Sequence, residues 1–188
     1  MTDFNNQITQ IFEQSVDSLN NSISLKPDIN GAINLIIDCI KNGNKLIIFG
    51  NGGSAAISSH VSVDLTKNAR IRSINFNEAD LLTCFSNDYG YEKVFSKSLE
   101  FYADKGDLVI IVSASGRSKN LIEAAKICKK NKIFLCTFTG FSKSNPLKKM
   151  GNINLWVNSK AYNIIENVHQ IWLLSIVDKI IGKTEYSA

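Results

Sequence analysis

Residues 45–56 read KLIIFGNGGSAA, a short apolar run that leads through a glycine-rich turn into a helical pattern. An apolar run of this length, bounded by turn residues, predicts a buried strand of a parallel sheet. Gly50, Gly52 and Gly53 allow backbone angles that a Cβ forbids, so peptide N–H groups can surround an anion. Ser54 stands where a helix N-cap is expected, and the helix N-terminus adds partial positive charge. The segment therefore predicts an anion-binding turn between a strand and a helix.

A second unit of the same kind lies at residues 107–118, where an apolar run precedes the sequence SASGRS. Ser113, Ser115 and Ser118 place three hydroxyls before a predicted helix, whose free N–H groups can bind phosphate oxygens with them. The alternative is that Ser118 only caps the helix and the other serines are ordinary turn residues. Neither turn has the GxGxxG or GxxxxGK(S/T) pattern of nucleotide-binding loops. Because ligands collect at the carboxyl ends of parallel strands, the two turns favour a small phosphorylated metabolite.

The composition is that of an ordinary globular protein, with 188 residues, 44% hydrophobic content and a formal net charge of +4. The length favours one domain, 1–188. No apolar run reaches membrane-spanning length, the N-terminus does not resemble a signal peptide, and the lysines form no stripe. We therefore expect a cytoplasmic protein without a membrane or nucleic-acid partner. The four single cysteines are expected to be reduced core thiols: Cys39, Cys84, Cys128 and Cys136.

The rest of the chain alternates apolar runs with helical patterns, which predicts a parallel sheet covered by helices on both faces. The expected fold is α/β, a three-layer αβα sandwich with a central parallel sheet of about five strands. An N-terminal helical region at 1–43 precedes the α/β core at 44–182. Strands are predicted at 45–49, 71–76, 108–112, 132–138 and 153–157. Helices are predicted at 4–23, 27–43, 54–66, 78–85, 91–102, 118–130 and 162–182.

Two pairs of ionisable residues are candidates for chemistry. His60 and Asp64 are four residues apart on the helix that follows the first turn, so they share one face. An imidazole and a carboxylate suit proton transfer, or two of the ligands that zinc requires; the alternative is a surface ion pair. On the last helix Glu166 precedes His169 by one turn, but a histidine among apolar positions is often a packed core residue. A polar turn at 87–92 either orders the fold or places its acidic groups in the cleft.

Four segments, in order over nearly the whole chain, together resemble the sugar isomerase (SIS) domain, and within it most closely the phosphoheptose isomerases. They are GNGGSAAISSHVSVDL at 50–65, SNDYGYEKVFSKSLE at 86–100, SASGRS at 113–118 and IIENVHQ at 164–170. The resemblance implies a flavodoxin-like SIS fold and the conversion of sedoheptulose 7-phosphate to a manno-heptose phosphate, a precursor of the heptose in lipopolysaccharide or capsule. It also implies a homotetramer whose sites are built by neighbouring subunits, usually with zinc.

The resemblance assigns roles to individual residues. His60, Asp64 and Glu166 fall at zinc-ligand positions, and Asp64 replaces a glutamate that serves the family as both base and ligand. Catalysis is expected from Asp64, Glu166 and His169. Binding of the phosphate and the substrate is expected from residues of the two turns: Asn51, Gly52, Gly53, Ser54, Ser113, Ser115 and Ser118.

Other positions depart from the family pattern. Ala114 replaces a threonine, and Asn163 stands where an acidic residue is common. Glu166 stands where the family has a glutamine ligand, and Leu174 where it has a catalytic, zinc-binding histidine. Leucine neither binds metal nor transfers protons, which makes His169 a candidate for the acid/base role. The phosphate-binding half is thus preserved in type, while the proton-transfer half is rearranged.

This rearrangement leaves two other functions open. The first is a non-catalytic SIS protein that binds a sugar phosphate or a partner protein, like the family member that binds the bacterial replication initiator. That member also lacks the histidine at the position of Leu174. The second is an isomerase of another phosphosugar, because the two turns do not determine the length of the sugar.

Overall fold

The computed structural model describes residues 2–21 and 26–185, and its helices and strands alternate in the predicted order. Two short 3₁₀ turns, at Tyr91–Lys93 and Leu147–Lys149, interrupt the connections. The strands are β1 (Leu46–Gly50), β2 (Ser73–Asn75), β3 (Leu108–Ser113), β4 (Phe134–Thr139) and β5 (Ile153–Trp156). The helices are α1 (Thr2–Asn20), α2 (Lys26–Lys41), α3 (Gly53–Lys67), α4 (Ala79–Tyr89), α5 (Val94–Tyr102), α6 (Lys119–Lys130) and α7 (Tyr162–Ile181).

The five strands form one parallel sheet in the order β2-β1-β3-β4-β5. The chain moves outward from β1 to β2 and then crosses back to β3, so the strand order reverses between β1 and β3. Ligands of open α/β sheets bind at such a switch point, outside the carboxyl ends of the strands. Gly50 pairs with Val112 in the β1–β3 register, and the two predicted anion turns therefore lie side by side.

A buried core on each face of the sheet confirms the predicted three-layer sandwich. Leu46 and Ile48 pack with α2, α3 and α7, whereas Ile47 and Phe49 pack with α5 and α6 on the opposite face. Every residue of β1 is buried, as a central parallel strand requires. Phe49 stacks on Phe95 of α5 with ring centroids 4.6 Å apart, which anchors that helix to the sheet.

Several element boundaries differ from the prediction. Strand β2 spans only Ser73–Asn75, and α4 extends to Tyr89, into the predicted polar turn. Two further differences have local reasons. Helix α3 begins at Gly53 with Gly52 as its N-cap, so the prediction that Ser54 is the cap is wrong. Ser54 lies within the first turn of the helix instead. Strand β4 begins at Phe134 rather than at 132, because Lys132 has a φ of 56° that a strand does not allow.

The cysteine prediction is confirmed for three residues and wrong for one. Cys39, Cys128 and Cys136 are free and buried, and burial raises the pKa of the last two thiols to about 12. Cys84 is exposed, with its Sγ 3.7 Å from the Asp88 carboxylate. None of the residues of its helix, α4, is fully buried. The apolar side chains in this segment of the sequence do not reveal that exposure.

Helix α1 packs on α7 and forms an outer layer of the molecule. No helix of the described residues is long and apolar enough to cross a membrane. Within the described chain, α1 leaves an exposed apolar stripe formed by Ile8, Ile11, Phe12 and Val16.

Candidate active site

The first turn presents two unpaired peptide N–H groups at the start of α3. The N–H groups of Ala55 and Ala56 bond back to the carbonyl oxygen of Gly52. Those of Gly53 and Ser54 have no partner among the described residues. Free N–H groups at a helix N-terminus carry partial positive charge and attract anions. The predicted anion site is therefore open to a ligand.

Side-chain and backbone contacts at Gly50 fix the entry to this turn. The Asn77 amide accepts a hydrogen bond from the Gly50 N–H at 3.3 Å and donates one to its carbonyl oxygen at 2.8 Å. A Cβ at Gly50 would lie 2.7 Å from the Val112 carbonyl oxygen and 2.8 Å from the Ser54 Cβ. Only glycine fits there, and the strand and the helix can approach closely for that reason.

In the second turn, two serines accept hydrogen bonds from the turn itself, and a third makes no capping bond. The Ser113 Oγ accepts the Gly116 N–H at 3.1 Å, and the Ser115 Oγ accepts the Arg117 N–H at 3.3 Å. Ser118 occupies the N-cap position of α6, but its side chain makes no capping hydrogen bond. The alternative that Ser118 merely caps the helix is thus not supported, and its hydroxyl can bind a ligand.

Side chains connect the two turns directly. Asn51 and Asn120 exchange two amide hydrogen bonds, of 2.9 and 3.0 Å. The Tyr91 hydroxyl donates to the Asn51 Oδ1 at 3.1 Å, and Glu92 pairs with Lys119 at 3.1 Å. The polar turn therefore reaches both anion turns. Sequence reasoning missed Asn120 and Tyr91, because their partners become neighbours only through the β1–β3 register.

His60 and Asp64 form the predicted pair on α3. The His60 Nε2 lies 3.4 Å from the Asp64 Oδ2, and Asn68 donates to the Asp64 Oδ1 at 3.1 Å. Half of the His60 side chain is exposed, whereas only 17% of the Asp64 side chain is. Since an α-helix rises about 1.5 Å per residue, His60 lies about 10 Å and Asp64 about 16 Å along the axis from Gly53.

Glu166 lies at the anion turn rather than beside the pair on α3. A Cβ at Gly53 would be 2.3 Å from the Glu166 Oε2, so the carboxylate lies against the first residue of α3, which itself stays exposed. Partial burial raises the pKa of Glu166. The expectation that Glu166 joins His60 and Asp64 as a third metal ligand is therefore not met within one chain.

The described residues do not by themselves fit a zinc ion. They contain no group of three or more His, Cys, Asp or Glu side chains that could hold a metal. Zinc in proteins takes three or four such ligands, and the His60–Asp64 pair supplies two. Leu174, which the resemblance places at the position of the family's histidine, packs partly buried against the main core.

His169 is a core residue of the described structure, which does not support the prediction that it acts as acid or base. The side chain is fully buried between Phe138 and Trp172, and its Nε2 lies 3.2 Å from the Thr139 carbonyl oxygen. Burial lowers the pKa of His169 to about 4. A neutral, enclosed imidazole cannot reach a substrate in the cleft.

The comparisons with known proteins agree with this architecture. Residues 3–140 match the model of the SIS domain family. A probable phosphoheptose isomerase of Thermoplasma acidophilum is 38% identical over 148 residues, which cover 75% of this chain and 80% of that protein. The phosphoheptose isomerase of Helicobacter hepaticus is 34% identical, with 90% of this chain and 89% of that protein covered.

A solved structure gives the same result in three dimensions. The phosphoheptose isomerase of Neisseria gonorrhoeae superposes with a TM-score of 0.88 at 26% identity, covering 94% of this chain and 99% of that one. The likeness thus extends over nearly the whole of both chains. With its five-stranded sheet, its paired turns and these relatives, the chain belongs to the SIS domain family.

Proposed function

We propose that this protein is a phosphosugar aldose–ketose isomerase that converts sedoheptulose 7-phosphate to D-glycero-D-manno-heptose 7-phosphate. One observation carries the proposal: two anion turns meet at the switch point, linked by Asn51 and Asn120, with N–H groups and a hydroxyl left open. The names of the relatives suggest the heptulose as the substrate. We place the reaction in the cytoplasm, where its product would supply heptose for lipopolysaccharide or capsule.

The two turns bind the phosphate. The N–H groups of Gly53 and Ser54 and the hydroxyls of Ser115 and Ser118 can share its oxygens. Hydrogen bonds to a charged group are stronger than neutral ones, so the phosphate fixes one end of an otherwise flexible sugar. Fixing that end orients the reacting carbons for proton transfer.

Asp64 fits the role of base better than Glu166 does. Seven covalent bonds separate the phosphorus from C2 of a heptulose 7-phosphate, about 9 Å in an extended chain. Glu166 lies at the phosphate end, against Gly53. Asp64 is oriented by Asn68 and lies beside the exposed imidazole of His60. We assign to Asp64 the transfer of a proton from C1 to C2. His60 donates a proton to the C2 carbonyl oxygen and takes one from the C1 hydroxyl, which becomes the aldehyde. Glu166 would contact the sugar near the phosphate.

We propose that two copies of the chain build each site, one supplying the anion turns and Glu166, the other supplying His60 and Asp64. The separation of the two groups along α3 supports such sharing. The exposed apolar stripe of α1 supports self-association, and we propose a homotetramer. His60 and Asp64 supply two zinc donors, and Zn²⁺ is part of the proposal only if another copy of the chain completes the ligand set. No proton transfer described above depends on it.

Isotope exchange tests the proposed reaction directly. Purified protein is incubated with sedoheptulose 7-phosphate in deuterated water, with and without a chelator, and the product is followed by NMR. Incorporation of deuterium at the carbon next to the carbonyl supports the isomerase. No exchange in either condition would exclude this substrate. Exchange that disappears only with the chelator would assign zinc a functional role.

A second candidate is a non-catalytic SIS protein that binds a sugar phosphate or a partner protein. The packing of Leu174 into the core favours it, since the family's catalytic histidine is missing there. Both candidates bind phosphate, so affinity does not separate them. The Asp64→Ala variant does: it abolishes exchange in the isomerase, whereas a binding protein shows no exchange to lose.

A further inference from the structure

On the basis of the proposed function, we infer that Asn145 is a positioning residue that sets the conformation of the serine turn, Ser113–Ser118, and with it the affinity for the phosphate. Asn145 belongs to the loop between β4 and β5, outside the two anion turns. Asn145 contacts the serine turn but does not bind the ligand, which the turn itself binds.

The Asn145 side chain is fully buried and its orientation is fixed. Its Nδ2 lies 3.2 Å from the Thr139 Oγ1, 3.3 Å from the Gly140 carbonyl oxygen and 2.9 Å from that of Ser142. Its Oδ1 accepts the Lys148 N–H at 2.8 Å. Exchanging the amide oxygen and nitrogen would bring acceptors face to face, so the amide can adopt only one orientation.

This fixed amide forms the support for Gly116, the residue at the centre of the serine turn. Gly116 has a φ of 62°, and a Cβ there would lie 2.1 Å from the Asn145 Oδ1 and 2.4 Å from its Cγ. Asn145 therefore fills the space that a side chain on the turn would need. The Gly116 N–H in turn donates a hydrogen bond to the Ser113 Oγ, so the position of Gly116 also affects that of Ser113.

Two backbone hydrogen bonds also join the loop of Asn145 to the serine turn, one on each side of Ser115. The Gly140 N–H donates to the Ala114 carbonyl oxygen at 2.8 Å, and the Leu147 N–H donates to that of Gly116 at 3.2 Å. Asn145 ties the segment that provides both donors to the end of β4. Displacing its side chain should therefore shift the carbonyl groups on either side of the Ser115 hydroxyl.

A purely structural role makes a different prediction. If Asn145 only stabilised its own loop, its loss would lower the stability of the fold but leave the affinity of folded protein for phosphate unchanged. Asn154 offers a matched control, because its amide also connects the end of one strand to a neighbouring loop, through Gly151 and Thr137. Its contacts lie away from the anion turns.

The experiment measures the dissociation constant of inorganic phosphate for the full chain by titration calorimetry, well below the unfolding temperature. Asn145→Ala should raise the constant about tenfold, equivalent to losing one hydrogen bond to the ligand. Asn154→Ala should leave it unchanged. Asn145→Ser retains an acceptor for the Lys148 N–H and should show the same loss of affinity if the alanine variant does not fold. Equal constants for folded Asn145 and Asn154 variants would overturn the inference.

A variant on the other side of the contact gives an independent test. Gly116→Ala should weaken phosphate binding because its Cβ collides with Asn145, and the double variant Gly116→Ala with Asn145→Ser should recover part of the affinity. Wild-type affinity in Gly116→Ala would contradict the inference. Failure of the unmodified protein to bind phosphate would instead contradict the proposed function, so the two failures are distinguishable.

Discussion

The anion-binding half and the proton-transfer half of the site are built in different ways. The anion turns follow adjacent strands, and Asn51 and Asn120 link them within one chain. The ionisable groups lie on helix faces instead, with Glu166 at Gly53 and Asp64 about 16 Å further along α3. Local backbone geometry completes the first half, whereas the second requires side chains that one chain does not bring together.

This difference gives a physical reason for the departures at Glu166 and Leu174 that the resemblance implies. An anion turn depends on glycine φ angles and free N–H groups, so most replacements would destroy it. Side chains on a helix face do not set the backbone of the turns, so they tolerate change more readily, provided that a carboxylate and an acid still meet at the reacting carbons. Glu166 and Leu174, both partly buried on α7, stand at such positions.

The largest effect is expected from Asp64→Asn, which removes the proposed base but keeps the size of the side chain. The turnover number should fall about a thousandfold, within the usual range for general-base catalysis. The dissociation constant of inorganic phosphate should stay unchanged, because Asp64 lies far from the turns. Kinetics and calorimetry on the same preparation measure both. A larger loss of turnover in Glu166→Gln than in Asp64→Asn would mean that Glu166, and not Asp64, is the base.

A second prediction separates the halves between copies of the chain. The double variant Ser115→Ala with Ser118→Ala should weaken phosphate binding about a hundredfold, because it removes two hydrogen bonds to a charged group. Mixed oligomers of this variant with Asp64→Asn should regain about a quarter of the unmodified activity if two copies share each site. The mixture should be formed by refolding the two variants together.

The same mixture contains its own control. Oligomers of either variant alone, treated identically, should remain nearly inactive. If the mixture gains nothing over them, the anion turns and the carboxylate act within one chain, and the proposal of a shared site fails.

The sequence predicts the anion turns well because their signals are local. An apolar run, a glycine or serine turn and a helical pattern lie within about a dozen residues, and each signal has a backbone cause. The succession of strands along the chain and the covering of both faces of the sheet follow from the alternation. The mistake at Ser54 is also local, since Gly52 at a φ of 55° takes the N-cap position one residue before the helix.

The sequence does not reveal features that depend on contacts between distant segments. Asn120 and Asn145 look like ordinary polar residues until the strand register places them beside the turns. Helical periodicity places His169 on an apolar face, but only the packing of Phe138 and Trp172 shows that it is enclosed. The exposure of Cys84 likewise depends on which distant segments pack against α4.

The third prediction concerns the core position of His169. Burial holds its pKa near 4 in the folded protein, against 6.5 for an ordinary histidine, so the unfolded chain binds more protons between these pH values. Stability should therefore be complete above about pH 6.5 and fall by about 3 kcal/mol as the pH drops to 4. His169→Gln, which keeps a donor for the Thr139 carbonyl oxygen, should lose this part of the pH dependence in urea unfolding. An unchanged pH profile would mean that His169 isn't the buried neutral group described above.

The smallest effect is expected from Tyr91→Phe, which tests whether the polar turn assists the anion half. The variant removes one hydrogen bond to Asn51 at a partly exposed position, so phosphate affinity should fall only about twofold to threefold. Tyr102→Phe is the matched control, since the described residues provide no hydrogen bond to its hydroxyl and it lies at the end of α5. A loss of tenfold or more in Tyr91→Phe would mean that its hydroxyl contacts the ligand itself, and the boundary of the anion half would then extend to the polar turn. Equal phosphate affinities of Tyr91→Phe and Tyr102→Phe would mean that the anion-binding half consists only of the two turns and the Asn51–Asn120 pair between them.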